Sequence, residues 1–218
     1  MGIVKTEQKQ QTIKQEVSLN GVGLHTGQDV TLTFKPAPAN SGYTFKRIDL
    51  EGHPEIAADT NYVTNTQRGT CLEKNGVIIQ TCEHVLAACV GLDIDNITIE
   101  LNAAEPPILD GSSKYFIEAL EKAEIEIQDD CREEYVITDV ISYVDDETGS
   151  EILIMPAKEY QVTTMVDFGT KVLGTQNATL NTMSDFKTEI SDSRTFSFLH
   201  ELEMLLDNGL IKGGDLDR

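Results

Sequence analysis

The sequence predicts an α+β fold built mostly of antiparallel sheet, and three observations carry that expectation. Short segments alternate apolar and polar side chains along most of the chain, as half-buried strands do. Only three stretches have helical periodicity. A β-rich unit followed by helices occurs twice, loosely, with the division near 128–134, so two similar units are expected. The first spans 5–128 and the second 134–218.

In chain order, TIKQEVSL (12–19) and DVTLTFK (29–35) alternate as strands. Asn20-Gly21-Val22-Gly23-Leu24-His25-Thr26-Gly27 joins them, with more glycine than a tight hairpin needs. YTFKRIDL (43–50) reads as a third strand. Strand-like pieces such as GTCLEKN and GVIIQT, broken by Asn and Gly, make 52–80 a small β insert. The first helix is expected over 82–91, where Cys82, Val85, Leu86, Cys89 and Val90 fall on one face and Thr81 is the N-cap. DNITIELN (95–102) is a strand. Asp110-Gly111-Ser112-Ser113 then opens a helix over 113–123 with Phe116, Ile117 and Leu120 inward. Beyond 134, EYVITDVISYV, EILIMPA and YQVTTMVDF predict a three-stranded meander with a turn at 146–149. A Gly, Thr, Asn and Ser-rich stretch (169–184) follows, and FSFLHELEMLLDNG (196–209) predicts a last helix stopped by Asn208-Gly209. The ending GGDLDR falls where a strand is due to return to the sheet, so the chain reads as part of a longer one.

The 218 residues carry 37 acidic against 17 basic side chains, a net charge of −20. That field opposes a nucleic-acid partner and a polybasic membrane-surface anchor. No apolar run approaches the ~20 residues of a membrane-spanning helix, and MGIVKTEQKQQ lacks the apolar core of a secretory signal. Neither stable membrane insertion nor export is expected. Cys71, Cys82, Cys89 and Cys131 contain no CxxC pair and read as reduced thiols of a cytoplasmic protein.

Candidate chemistry rests on few residues. The four histidines (25, 53, 84, 200) include no HxxxH or HExxH pair, so no self-contained helix-pair zinc site is present. His84 lies among Ala87, Ala88 and Gly91 on its helix, small residues that let another element or a ligand approach. Glu83 beside it, in the first turn, suits a general base next to a metal ligand. A core histidine behind an N-terminal glutamate that complements the helix dipole fits the same pattern. His25 is a metal-site neighbour or a backbone-bonded loop residue. Thr195 is an N-cap or a hydroxyl aimed at a carbonyl. Asp110 is a cap carboxylate or an orienter of a ligand.

Taken together, GVGLHTG (21–27), TCEHVLAACVGLDIDNITIELN (81–102), EPPILDGSS (105–113) and SRTFSFLHELEMLLDNGLIKGG (193–214) resemble the UDP-3-O-acyl-N-acetylglucosamine deacetylases. These are zinc amidohydrolases of the committed step of lipid A synthesis. The resemblance runs from about Lys5 to Arg218. It implies two similar domains of β-sheet layered with helices, each with an insert, the second insert at about 167–190 forming an acyl-chain passage. It implies Zn2+ as cofactor with His84 as a ligand, Glu83 as general base and Thr195 as the hydroxyl that stabilises the oxyanion. Leu24, Phe196 and Phe198 match the substrate and acyl-chain surface. Asp110 belongs to a P-I-x-D-G motif and, with His25, is a candidate for the shell around the site.

Two further zinc ligands and a lysine of an H-K-x-x-x-D motif, with a later histidine that protonates the leaving amine, have no counterpart in this sequence. His200 does not replace them. The resemblance therefore implies that this chain lacks two ligands, that the second domain is incomplete, and that the chain by itself is inactive. The substrate implied is a UDP-sugar acyl ester whose diphosphate needs a local potential opposite to the net charge. Some members are fused to a hydroxyacyl-carrier-protein dehydratase. The alternative function is a non-catalytic acyl- or sugar-nucleotide-binding module.

Overall fold

The computed structural model describes residues 2–198, 201–204 and 211–214. A long strand β1 (Gly2–Ile13) pairs antiparallel with β10 (Ile125–Val136), from Gly2 opposite Val136 to Ile13 opposite Ile125, with two register shifts. Residues 128–134, the expected division, thus lie inside one strand. The main sheet contains β2 (Val17–Val22), β3 (Asp29–Pro36), β4 (Tyr43–Arg47), β5 (Glu55–Ala57) and β9 (Ile97–Leu101), in the order β2-β3-β9-β4-β5. Only the β4–β9 pairing is parallel. A separate three-stranded sheet holds β6 (Val63–Asn65), β7 (Cys71–Lys74) and β8 (Val77–Ile79).

The alternation expected in β3 is seen directly: Val30, Leu32 and Phe34 are buried while their neighbours are not. Helix α1 (Glu83–Gly91) and helix α2 (Lys114–Lys122) cover that buried face. Phe34 meets Phe116 of α2 edge to face at 6.5 Å, a geometry that favours the ring quadrupoles. Phe116, Ile117 and Leu120 of α2 are inward as expected, and Ala119 joins them. On α1 the buried set is Val85, Ala88 and Cys89, with Cys82 just before it. Val90, expected on the apolar face, is 42% exposed.

The cap of α1 also differs from expectation. Cys82 occupies the N-cap position, and its thiol donates to the Thr70 carbonyl rather than capping the helix. Thr81 has a left-handed backbone (φ 51°), and its hydroxyl donates to Glu105 instead. An aligned alternative acceptor outcompetes the helix end. On the other face of α1, Phe186 lies where a Gly91 side chain would stand, which is the close approach that the small residues around His84 permit. Phe186 belongs to a π-helical turn over Phe186–Ile190.

Beyond β10 the expected meander is two separate hairpins. β11 (Ile141–Val144) pairs with β12 (Glu151–Ile154), and β13 (Val162–Asp167) pairs with β14 (Thr175–Leu180). The polar stretch after 169 thus contains a strand that composition did not indicate. Of the last helix, residues 201–204 are helical. The Phe198 carbonyl accepts from the Glu201 and Leu202 amides. Phe196–Phe198 are not helical, while His200 and Asn208-Gly209 lie outside the described residues.

Arg132 of β10 ties this strand to the turn after α1. Its guanidinium donates to Asp95 (2.6 and 2.7 Å) and to Asp93 (2.6 Å), and the Gln11 amide donates to the same Asp95 carboxylate at 2.7 Å. Such charge-assisted, forked bonds fix geometry as well as adding stability.

All four cysteines are free thiols, and burial pushes those of Cys82 and Cys89 up to about 12 from an ordinary 9.0. Unfolding frees them to ionise near 9, so their contribution to stability is complete below that pH. It is lost as pH rises from about 9 to 12, because only the unfolded chain releases those protons. Urea-unfolding free energy should therefore decline across this interval in the wild type. Cys89→Ala should flatten part of the decline; an unchanged slope would contradict the burial of that thiol.

Candidate active site

The head of α1 carries Glu83 and His84, both half-buried. The Thr70 amide donates to Glu83 Oε2 at 2.8 Å. Among the described residues no group bonds the other carboxylate oxygen, Oε1. Thr70 lies between the bend at 67–69 and β7, so the insert sheet's own approach segment orients this carboxylate.

The glycine-rich connection is the six-residue loop 23–28 that closes the β2–β3 hairpin, with Gly23 and Gln28 bonded across it. It is longer than a tight turn because it docks onto a buried carboxylate. Glu105, 0% exposed, accepts from the His25 amide (3.1 Å to each oxygen), the Thr26 amide (3.0 Å) and the Thr81 hydroxyl (3.0 Å). A Cβ on Gly23 would lie 2.7 Å from Glu105 Oε2, so only glycine lets loop and carboxylate meet. The His25 ring Nε2 contacts the Arg68 carbonyl at 3.3 Å. His25 is thus a neighbour of the loop that holds Glu83.

Asp110 caps no helix. Its carboxylate accepts from the Ser112 amide (3.1 Å) and hydroxyl (2.7 Å), closing the turn that leads into α2. That turn touches two other site elements. The Thr195 amide donates to the Gly111 carbonyl at 2.9 Å, and the Ser113 hydroxyl donates to the His84 carbonyl at 3.1 Å. Thr195 is not the cap of the last helix either. The Phe198 carbonyl accepts the Glu201 and Leu202 amides and the Phe198 amide donates back to Glu201 Oε2 at 3.0 Å, three residues beyond Thr195, and the exposed Thr195 hydroxyl bonds none of the described residues.

Leu24, Asp110 and Thr195 line one cleft of about 460 Å³, together with Val22, Ile108 and Lys212. Glu83 and His84 are not among its lining residues. The Leu24 carbonyl accepts from the Lys212 and Gly213 amides (3.1 and 3.0 Å), which closes one end. Phe196 and Phe198 are not among its lining residues and belong to an aromatic trio. Phe196 meets Phe198 at 6.1 Å and Phe168, just after β13, at 5.0 Å. Sequence reasoning did not single out Glu105, Phe168 or Lys212. All three lie within quoted stretches, but nothing in their spacing marks them.

A zinc ion does not fit the described residues alone. They hold no group of three or more His, Cys, Asp or Glu placed around a common point, and His84 would need donors from elsewhere.

The sequence profile of the LpxC family, UDP-3-O-acyl N-acetylglycosamine deacetylase, matches residues 10–218. The chain belongs to this family. The chain is 48% identical over 209 residues to a protein of Bacteroides thetaiotaomicron named bifunctional enzyme LpxC/FabZ, a match covering 96% of this chain and 45% of that protein. A Porphyromonas gingivalis protein of the same name is 45% identical, over 96% of this chain and 46% of its own length. A UDP-3-O-acyl-N-acetylglucosamine deacetylase of Chromohalobacter salexigens is 39% identical, over 96% of this chain and 69% of its own length. The chain therefore spans less than half of the bifunctional relatives. As in this deacetylase family generally, the fold is α+β, and no helix among the described residues is long and apolar enough to cross a membrane.

The Gly23–Glu105 contact yields a stability test. Gly23→Ala should lower the urea-unfolding free energy by about 2 kcal/mol, within the usual cost of overpacking. No loss would mean that the loop is not pressed against the carboxylate.

Proposed function

We propose that this chain supplies a large part of the catalytic body of a cytoplasmic deacetylase. The enzyme would hydrolyse the N-acetyl group of UDP-3-O-(hydroxyacyl)-N-acetylglucosamine, with Zn2+ as cofactor, in the committed step of lipid A synthesis. The observation that carries the proposal is convergence: within a chain of this family, residues 24, 110 and 195, far apart in sequence, line one cleft. The names of the relatives support the substrate. Free, buried thiols support a reducing compartment.

In this proposal Glu83 takes a proton from the attacking water at Oε1, since the Thr70 amide already holds Oε2. Holding one oxygen fixes the direction in which the other presents its lone pairs. The Thr195 hydroxyl donates to the carbonyl oxygen as charge develops there. Its backbone is held by Gly111 while its hydroxyl is bonded to none of the described residues, so donation breaks no bond among them. Lys212 is the cation of the cleft and suits a diphosphate in a chain of net charge −20. Leu24 contributes apolar cleft wall, and the trio of Phe168, Phe196 and Phe198 offers apolar surface for an acyl chain. His84 is the zinc ligand of this chain. The other two ligands that the family resemblance implies have no counterpart in this sequence, so the chain by itself would bind zinc weakly and not turn over. The bifunctional relatives support a parent protein in which a second enzyme module, a hydroxyacyl-carrier-protein dehydratase, is fused to the deacetylase.

Two substitutions in the full-length protein test these roles. Glu83→Ala should lower kcat roughly 10²–10⁴-fold with KM little changed, as loss of a general base does. Thr195→Val should lower kcat at least about tenfold without lowering the melting temperature, because Thr195 caps no helix. Near wild-type turnover in Glu83→Ala would remove the base role from Glu83; tight binding of the sugar nucleotide by a wild type that releases no acetate would favour the binding-module alternative.

A further inference from the structure

We infer that Glu105 is a positioning residue that sets Glu83 and His84 through Thr81 and sets the Leu24–Thr26 loop through backbone amides. The inference rests on the assignment of Glu83 and His84 to the chemistry.

Glu105 is wholly buried, and no Lys or Arg among the described residues pairs with it. A carboxylate so placed needs donors held at fixed positions. It has three, from two segments that are otherwise separate. The His25 and Thr26 amides belong to the β2–β3 loop, and the Thr81 hydroxyl belongs to the entry of α1. Each bond to an anionic acceptor is stronger than a neutral one, so the carboxylate constrains its donors as firmly as they satisfy it.

The link to the chemistry runs through Thr81. A β-branched residue at φ 51° is an outlier that surrounding contacts must hold in place. The hydroxyl bond to Glu105 Oε1 is the side-chain contact that does so. Thr81 is two residues before Glu83 and three before His84, and α1 starts without a side-chain cap of its own. The Cys82 amide and thiol donate to the Thr70 carbonyl (3.3 Å each) and the Ser113 hydroxyl to the His84 carbonyl, and the Thr81 bond adds to these a tie from this helix end to a buried charge. The same carboxylate acts on Glu83 from a second direction. It anchors the His25 backbone, the His25 ring touches the Arg68 carbonyl, and the Thr70 amide two residues on holds Glu83 Oε2.

The test uses the full-length, metal-loaded protein. Thr81→Val keeps the shape of the side chain and removes the hydroxyl; Thr81→Ser keeps the hydroxyl. We expect Thr81→Val and Glu105→Gln each to lower kcat at least tenfold with KM within about threefold of wild type, and Thr81→Ser to stay within about twofold in both. Amide hydrogen exchange at His25 and Thr26 should accelerate at least tenfold in Glu105→Gln, a readout independent of turnover. If Glu105→Gln fails to fold, the Thr81 pair still decides. Wild-type kcat in Thr81→Val beside an inactive Glu83→Ala overturns the positioning role and leaves the base assignment standing. Equal losses in Thr81→Val and Thr81→Ser overturn it too, since the hydroxyl would not be the cause. Wild-type turnover in Glu83→Ala removes the assignment on which the inference rests.

Discussion

A charge sealed from water must be met by donors that do not move, and around Glu105 this requirement shapes much of the first half of the chain. The β2–β3 loop is long and glycine-rich because it has to bring two successive amides onto one carboxylate. Thr81 accepts an unfavourable backbone because its hydroxyl is the remaining donor. The helix that follows therefore starts where that bond puts it, with Glu83 and His84 in its first turn. Local rules for helix ends give way here to a longer-range polar contact, as happens when a buried group would otherwise be left unsatisfied.

The apolar core has a matching asymmetry. Its members run from Ile13 to Ala123, joined among the later described residues by Leu180 and Phe186. The hairpins β11–β12 and β13–β14 expose large side chains, with Tyr143 at 63% and Met165 at 73%. The rigid part of the site is thus the part the core supports: α1, the glycine-rich loop and the Asp110 turn. The aromatic trio around Phe196 sits on the more exposed part, with Phe196 itself 60% exposed.

What was legible in the sequence follows from the range of the interactions. Alternation in 29–35 and the helical face of Phe116, Ile117 and Leu120 are local patterns, and the structure has both. The start of α1 departs from the local pattern because Thr81 satisfies the rule for a cap while its hydroxyl has a partner 24 residues away. The strand at 175–180 was hidden because all but its last residue are exposed, so no apolar alternation marks it. Asp110 and Thr195 were each left between a cap and a functional role. The structure removes the cap role from both, through the Ser112 bonds of Asp110 and the reciprocal Phe198–Glu201 bonds that lie three residues beyond Thr195. Glu105 left no trace in spacing or periodicity, because a buried carboxylate is recognised only by the donors that fold around it.

The central claim is that the head of α1 and the cleft beside the Asp110 turn belong to an amide-hydrolysing site. The most direct measurement follows the acetyl group itself by carbon NMR. The full-length protein is given UDP-3-O-acyl-N-acetylglucosamine labelled at the acetyl carbonyl, and the fate of the label is read. The account predicts one equivalent of labelled acetate for each free sugar amine formed. Label that stays on the sugar, with the nucleotide bound and unchanged, would contradict it.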